Sequence, residues 1–320
     1  MQARVLVPLQ IAGTPPPWGQ TLQTLAGDTM GTTWSVAFIA PPELRHEPLR
    51  AAIAALFAEI IAQMSPWEPD SLISRINRAE ADSRWTLPPG FTAVMDAACK
   101  IAAASDGAFD PSSGALVRHW GFGPPGAVEP TRPDWRALAW DGDTLTQPGG
   151  LQLDLSAIAK GHAVDRLSEL LNELGLPHHL AEIGGELRGA GFKPEGQPWW
   201  VDLEPPAADA NLQPLRIALH GLAIASSGDY RRVRFDAQGR RLSHTLDPRR
   251  GEPIAHGLAS VSVVHESAMW ADGWSTALMV MGLADGLRFA TELGLAARFV
   301  QREAQGFSEH FSPALQDLLA

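Results

Sequence analysis

An acidic residue in an otherwise apolar helical pattern is the first feature that could do chemistry. In SAMWADGWSTALMVMG, Asp272 and Thr276 are four residues apart, so a helix places them on one face. A buried carboxylate loses its hydration and protonates unless it is paired or coordinated. Both side chains can therefore point at one hard cation. Because the segment brings few carboxylates and no histidine or cysteine cluster, magnesium fits better than zinc or calcium.

A second polar group stands where a strand pattern changes to a helix pattern, in LQLDLSAIAKGHAVDRL (Leu151–Leu167). The leucines first alternate with polar residues, and apolar residues then recur at helical spacing from Ala163. Asp154, Ser156, Lys160 and Gly161 lie at this junction, where the unpaired amides of a helix start are available to a ligand. The alternative is an ordinary turn in which Asp154 or Ser156 caps the helix, and the local pattern alone favours it.

Three further segments carry candidate residues, each with a structural alternative. His244 precedes a Pro/Gly turn in SHTLDPRRGEP, although a lone histidine is more often structural. The glycines and prolines of SDGAFDPSSGALVRHWGFG predict a long loop without regular structure, of the kind that binds ligands, in which Asp110 could equally be a turn residue before Pro111. Trp67 lies in a proline-flanked turn and could instead be packed in the core.

The surrounding patterns predict an α+β protein with a mainly antiparallel sheet and helices packed on it. Apolar stripes predict helices over Glu47–Met64 and about Phe91–Ala104. Alternation and turn residues predict successive strands and short turns. The expected strands are Met30–Ala40, the HLAEI strand ending at Gly184-Gly185, Pro198–Glu204, Leu215–Leu219, Leu222–Ser226, Tyr230–Phe235, Arg240–Leu246 and LASVSVVHES, with a hairpin around Gly149-Gly150 and a turn at DAQG.

Composition limits the possible partners. The chain has 320 residues, 45% of them hydrophobic, and a net charge of -11, which disfavours nucleic acid and membrane surfaces as partners. Cys99 is the only cysteine, so there is no intrachain disulfide and no thiolate cluster. No stretch approaches the ~20 apolar residues of a membrane span, and the first residues lack the long apolar core of a secretory signal. We therefore expect a cytoplasmic protein as the sequence stands, or a periplasmic or membrane-associated one if the N-terminus is incomplete.

Eight motifs in order make the sequence resemble the ApbE family of FAD:protein FMN transferases, from about Met30 to Met281. They are MGTTW, MSPWEPDSLISRINR, SDGAFDPSSGALVRHWGFG, LDLSAIAKGHAVD, IGGELRGAG, AIASSGDYRR, SHTLDPRRG and the helix with the Asp-x-x-x-Thr pattern. The resemblance implies a tunnelling-fold-like architecture. We expect a lead-in over residues 1–27 and a single domain over residues 28–320. Departures from the family pattern include Glu186, where Asp or Asn is frequent, and Arg250 in place of a small hydroxyl residue.

The resemblance also implies a reaction and a set of site residues. Magnesium would be held by the main-chain carbonyl of Ala157, by Asp272, by the main chain at Ser275 and by Thr276. FAD would lie against Met30, Trp67, Ala108, Phe109, Asp110, Asp154, Lys160 and Leu246, and His244 would be the general base. A Ser or Thr hydroxyl of an acceptor flavoprotein would attack the FMN phosphorus of FAD and release AMP. Two alternatives stay open, an FAD pyrophosphatase and a non-catalytic flavin-binding protein.

Overall fold

A computed structural model describes residues 4–8, 10–126, 129, 131–207, 210–229, 233–235, 239 and 241–318. The strands are β1 (Arg4–Leu6), β2 (Thr21–Thr29), β3 (Thr32–Ala40), β4 (Arg84–Thr86), β5 (Ala139–Asp141), β6 (Thr144–Thr146), β7 (His179–Ile183), β8 (Glu186–Ala190), β9 (Trp199–Asp202), β10 (Leu215–Leu219), β11 (Leu222–Gly228), β12 (Val233–Phe235), β13 (Arg241–Ser243), β14 (Leu246–Asp247), β15 (Glu252–Pro253), β16 (Leu258–His265), β17 (Ala296–Arg302) and β18 (Phe307–Phe311). The α-helices are α1 (His46–Met64), α2 (Leu72–Asn77), α3 (Pro89–Ala104), α4 (Gly114–His119), α5 (Ala159–Glu173), α6 (Ala268–Met281), α7 (Leu283–Glu292) and α8 (Pro313–Gln316).

An eight-stranded sheet organises the fold, with strand order β18-β17-β16-β11-β8-β7-β3-β2. Every neighbouring pair in it is antiparallel, which confirms the predicted α+β class. Successive side chains of a strand point to opposite faces. On β11, Ala223 and Ala225 accordingly join the core beneath the helices, whereas Ile224 joins a second core on the other face. The small sheet β1-β10-β9 contributes to this second core.

The long helices form where the apolar stripes predict them. The buried residues of α1 are Leu49, Ile53, Phe57, Ile60 and Met64, spaced three or four apart on one face. α6 is apolar nearly all round because it packs against β11, β16 and α5. Of the helices that the structure describes, none is long and apolar enough to cross a membrane.

The strand predicted over Leu151–Leu155 is wrong. The segment makes only one isolated bridge, between Gln152 and Ser113. The side-chain amide of Asn77 donates to the Leu153 carbonyl over 2.9 Å, and its oxygen accepts from the Leu153 amide over 2.7 Å. Leu153 thus bonds to one asparagine side chain where a strand would bond to a neighbouring strand, and an alternating sequence cannot distinguish these two partners.

Two local predictions also need correction. The segment predicted as loop without regular structure contains α4, which begins at Gly114. The hairpin expected at Gly149-Gly150 forms instead between β5 and β6, where Asp141 pairs with Thr144. Residues 230–232 of one predicted strand, and most of the DAQG turn, lie outside the described residues, while β12 covers 233–235.

The segment predicted as a lead-in, residues 1–27, contributes strands to the eight-stranded sheet and to the small sheet β1-β10-β9. β1 runs parallel to β10, and β2 begins at Thr21 and pairs with β3 along its whole length. The single domain over residues 28–320 stays a prediction. Its proposed start falls inside β2.

Candidate active site

Asp272 of α6 lies against the first turn of α5. The residue is 4% exposed, and its Oδ2 accepts a hydrogen bond from the Gly161 amide over 3.0 Å. An α-helix would direct this amide at the carbonyl four residues earlier, that of Ala157. Burial raises the pKa of the Asp272 carboxyl, and the nearby Lys160 charge and the Gly161 amide partly oppose that rise. The structure therefore brings three of the predicted residues, Ala157, Lys160 and Asp272, to one helix start.

The contact between α5 and α6 depends on the absence of a side chain at Gly161. A Cβ there would lie 2.3 Å from the Ala268 carbonyl oxygen and 2.8 Å from the Asp272 Cβ. We expect Gly161→Ala to lower the free energy of unfolding by roughly 1–3 kcal/mol in urea denaturation, as overpacking of a close contact does. Gly90→Ala in α3 is the control, because a Cβ there meets no atom nearer than 3.5 Å. Equal stability of the two variants would contradict the close approach.

Three hydroxyl groups form a cluster beside Asp272. Ser227 Oγ on β11 lies 2.8 Å from Ser275 Oγ and 3.1 Å from Thr276 Oγ1. Ser275 is fully buried and donates to the Asp272 carbonyl over 2.9 Å. The sequence analysis missed Ser227, although two consecutive serines in the apolar strand AIASSG were a usable signal.

Lys160 and Glu186 form an ion pair next to these residues. Lys160 Nζ lies 2.6 Å from Glu186 Oε1, and the Glu186 side chain is 4% exposed. Glu186 Oε2 is buried and has no hydrogen-bond partner. Burial raises the pKa of the Glu186 carboxyl, the Lys160 charge opposes this rise, and the Asp272 charge adds to it. The sequence analysis treated Glu186 only as a departure from the family pattern and missed this pairing.

Asp165 of α5 fixes the start of α6. Its carboxylate accepts hydrogen bonds from the Ala268 amide over 2.9 Å, from the Met269 amide over 3.0 Å and from the Ser267 hydroxyl over 2.6 Å. It also forms an ion pair with Arg188 on β8. A carboxylate that satisfies the free amides of a helix start stabilises that end. Asp165 therefore sets the position of α6, and so of Asp272, relative to α5.

The oxygen atoms around Asp272 fit magnesium. One buried carboxylate, hydroxyl oxygens and the main chain at Ala157 are hard oxygen ligands, and magnesium usually takes one or two carboxylates and keeps several waters. The unpartnered Glu186 oxygen provides further acceptor capacity beside them. The magnesium assignment to Ala157, Asp272, Ser275 and Thr276 stays a proposal.

The loop around Asp110 is held by its own hydrogen bonds. Asp110 Oδ1 accepts from the Ser112 amide over 2.8 Å and from its hydroxyl over 2.6 Å, while Oδ2 accepts from the Trp135 amide over 3.2 Å. Burial raises the pKa of the Asp110 carboxyl, and these hydrogen bonds oppose the rise. Ala108 and Phe109 are almost fully buried. All three residues thus shape the loop, and their contact with FAD remains a proposal.

Asp154 links this loop to the start of α5. The Asp154 amide donates to the Pro111 carbonyl over 2.8 Å, and its Oδ1 accepts from the Ser156 amide over 2.7 Å. Asp154 therefore closes a short turn ahead of the helix, whose N-cap is Ile158. Because Ala157 follows only three residues later, the loop and the α5–α6 contact are joined by a short piece of chain.

Met30 and Trp67 are two apolar members of the predicted flavin set, and Met30 is half-buried against the core. Met30 has a φ of 50° in the tight turn between β2 and β3, a conformation costing roughly 1–3 kcal/mol and often kept at functional sites. An open cavity of about 450 Å³ is lined by residues 28–33 of this hairpin. Trp67 is 55% exposed, which excludes the core-packing alternative. An exposed indole is available for contact with an aromatic ligand.

His244 lies between β13 and β14, next to the residues that follow α4. Its ring centroid is 6.3 Å from that of Phe122, edge-on at an interplanar angle of 65°. Trp120, directly after α4, donates from Nε1 to the Gly251 carbonyl over 3.0 Å. Leu246 is buried at the start of β14, and Asp247 accepts two hydrogen bonds from the Arg249 guanidinium. The SHTLDPRRG segment is thereby held against the residues that follow α4.

Comparison with known proteins decides the family. The sequence model of the ApbE family matches residues 30–299. The chain belongs to the ApbE family. An FAD:protein FMN transferase from Klebsiella pneumoniae (strain 342) is 34% identical over 96% of this ApbE-family chain and 92% of its own length. One from Vibrio cholerae serotype O1 (strain ATCC 39541 / Classical Ogawa 395 / O395) is 35% identical over 92% of each.

Solved structures of the ApbE family share the fold. The apo form of the flavinyl transferase ApbE from Pseudomonas stutzeri has a TM-score of 0.85 and 37% identity, over 93% of this chain and 97% of that one. The flavin transferase ApbE from Vibrio cholerae has a TM-score of 0.84 and 33% identity, over 93% and 99%. The predicted family and its architecture are confirmed.

Proposed function

We propose that this chain transfers FMN from FAD to a Ser or Thr hydroxyl of an acceptor flavoprotein and releases AMP, with magnesium bound at the α5–α6 contact. The relatives named FAD:protein FMN transferase support flavin transfer. The observation that carries the proposal for this chain is the buried Asp272 carboxylate of α6, which accepts from the Gly161 amide in the first turn of α5, beside Lys160 and the Thr276 hydroxyl. A cation at Asp272, the Lys160 ammonium and the Thr276 hydroxyl at one helix start would together suit a pyrophosphate.

The proposed reaction is a phosphoryl transfer. The acceptor oxygen forms a bond to the FMN phosphorus, the bridging P–O bond of the pyrophosphate breaks, and AMP leaves with the bonding electron pair. His244 takes the proton of the attacking hydroxyl as general base. Catalysis in such reactions comes mostly from positioning and electrostatic stabilisation.

The other roles follow from charge. Lys160 has three donors, so it can keep its contact with Glu186 and donate to a phosphate oxygen. The N-terminal end of α5 adds the partial positive charge of the helix dipole near the same phosphates. Magnesium, when bound, would neutralise the pyrophosphate and the leaving phosphate. Met30 and Trp67 would bind the flavin part of the substrate.

One experiment separates transfer from its alternatives. Purified protein is incubated with FAD and magnesium, with and without an acceptor flavoprotein, and AMP and the acceptor mass are measured. Transfer predicts AMP release together with an FMN adduct on a Ser or Thr of the acceptor. AMP and free FMN without an adduct would show an FAD pyrophosphatase. Bound FAD without AMP would show a flavin-binding protein.

Lys160→Ala should weaken FAD binding about ten-fold or more at low salt, because it removes a charged contact to phosphate. The difference from the wild type should shrink as salt rises, since partly exposed charges are screened. Flavin fluorescence titrations at low and high salt measure both effects. Lys100→Ala on the exposed side of α3 is the control and should bind FAD like the wild type. An unchanged titration for Lys160→Ala would leave Lys160 with a structural role only.

A further inference from the structure

The buried carboxylate of Glu186 is only half satisfied. Oε1 pairs with Lys160 Nζ over 2.6 Å, whereas Oε2 is buried and has no hydrogen-bond partner. A buried acceptor without a partner is costly, and an ionised one more so. Such atoms are retained where a ligand, ion or water completes them. Glu186 Oε2 therefore indicates a group that arrives from outside the chain.

The side that Glu186 faces is set by strand register. Glu186 pairs with Ile183 across the Gly184-Gly185 turn, and Ile183 belongs to the core beneath the helices. Side chains of directly paired residues share a face. Glu182 belongs to the opposite face, where its carboxylate accepts from the Ser35 hydroxyl and the Gly185 amide. Glu186 thus faces the α5–α6 contact, and Glu182 does not.

Two buried acidic side chains share one ammonium at this place. Glu186 and Asp272 bring two carboxylates, both almost fully buried, and each lies within the electrostatic reach of Lys160. One ammonium neutralises only one of them, so a proton or a bound cation must supply the remaining positive charge. Magnesium sites commonly use one or two carboxylates, and a second carboxylate often acts by accepting from a water on the metal.

We propose that Glu186 is a second carboxylate of the cation site, with Oε2 accepting a hydrogen bond from a water on the cation that Asp272 and Thr276 hold. This inference rests on the proposed function, because it requires the cation at Asp272. Lys160 fixes the orientation of Glu186 through Oε1. Glu186 is thus a positioning residue, which acts on the cation through its water.

Manganese serves as a spectroscopic probe in the test. The intact protein without FAD is titrated with Mn²⁺ and free metal is followed by electron paramagnetic resonance, for the wild type and for Glu186→Gln, Glu182→Gln and Asp272→Ala. Glutamine keeps the shape of Glu186 and its contact with Lys160 but removes the charge. We expect Glu186→Gln to bind Mn²⁺ about 10–100-fold more weakly, as for other residues that support metal ligands. Glu182→Gln should match the wild type.

A second measurement separates cation positioning from folding. Glu186→Gln should require more magnesium for half-maximal AMP release, and saturating magnesium should restore most of the rate, whereas a misfolded variant would not be rescued. Wild-type Mn²⁺ affinity in Glu186→Gln, with binding lost in Asp272→Ala, would overturn the role of Glu186 and leave the proposed function standing. Wild-type affinity in Asp272→Ala would overturn the proposed cation site itself.

Discussion

Asp272→Ala should abolish AMP release from FAD. The variant removes the one side-chain carboxylate assigned as a direct magnesium ligand, so neither the charge of the pyrophosphate nor that of leaving AMP would be neutralised. The rate should fall to the level of the wild type in EDTA, measured as AMP formed by chromatography. Asp285→Ala is the matched control, because Asp285 is an exposed acid on the neighbouring α7. Full activity in EDTA, or in Asp272→Ala, would refute the metal assignment.

The same variant should remain folded. Burial raises the pKa of Asp272 above its unfolded value, so its contribution to stability is present below the unfolded pKa and is lost as pH rises through the folded pKa. Without metal, alanine removes the free-energy cost of ionising this buried carboxyl. We expect the free energy of unfolding of the metal-free variant to equal or exceed that of the metal-free wild type at pH 7, by urea denaturation. This outcome separates lost chemistry from lost structure.

His244→Ala should keep FAD bound but lose most flavin transfer. General-base catalysis is typically worth ~10²–10⁴-fold, and alanine cannot accept the proton of the hydroxyl nucleophile. The wild-type transfer rate should fall as pH drops through the pKa of the imidazole, because only the neutral ring accepts a proton. The variant should lose this dependence. Transfer is measured as flavin mass on the acceptor across a pH series.

His310→Ala is the control for this series, because His310 lies on β18 at the edge of the large sheet. It should transfer flavin at the wild-type rate with the wild-type pH profile. If His244→Ala also did so, His244 would be structural and the base would lie elsewhere, with the Asp272 carboxylate the next candidate.

The sequence predicts the sheet and the long helices well because both rest on one-dimensional periodicity. The α1 stripe and the strands β10, β11 and β16 read directly from the spacing of apolar residues. The strand predicted around Leu153 is wrong because its hydrogen-bond partner is not another strand. Its partner is the Asn77 side chain, which lies far away in sequence and leaves no periodic signal.

The site is predictable in its residue types but not in its pairings. An acid in an apolar helix requires a partner, so Asp272 was recognisable as special. The sequence does not show that the partner of Asp272 is the Gly161 amide, or that Lys160 pairs with Glu186. Both pairings depend on how α5, α6 and β8 pack against each other. The buried hydrogen bonds of Asp110 confirm the local turn that its Asp-Pro sequence suggested.

The position of Asp272 also limits the order in which the contacts of the site can form during folding. The hydrogen bond from Gly161 joins residues 111 positions apart, and the one from Ala268 to Asp165 spans 103. Contacts of such separation form late, because the entropy of closing a long loop must be paid first. A nascent chain on the ribosome carries Lys160 and Glu186 well before Asp272 is synthesised. The contact between Asp272 and Gly161 can therefore form only after α6 has been synthesised.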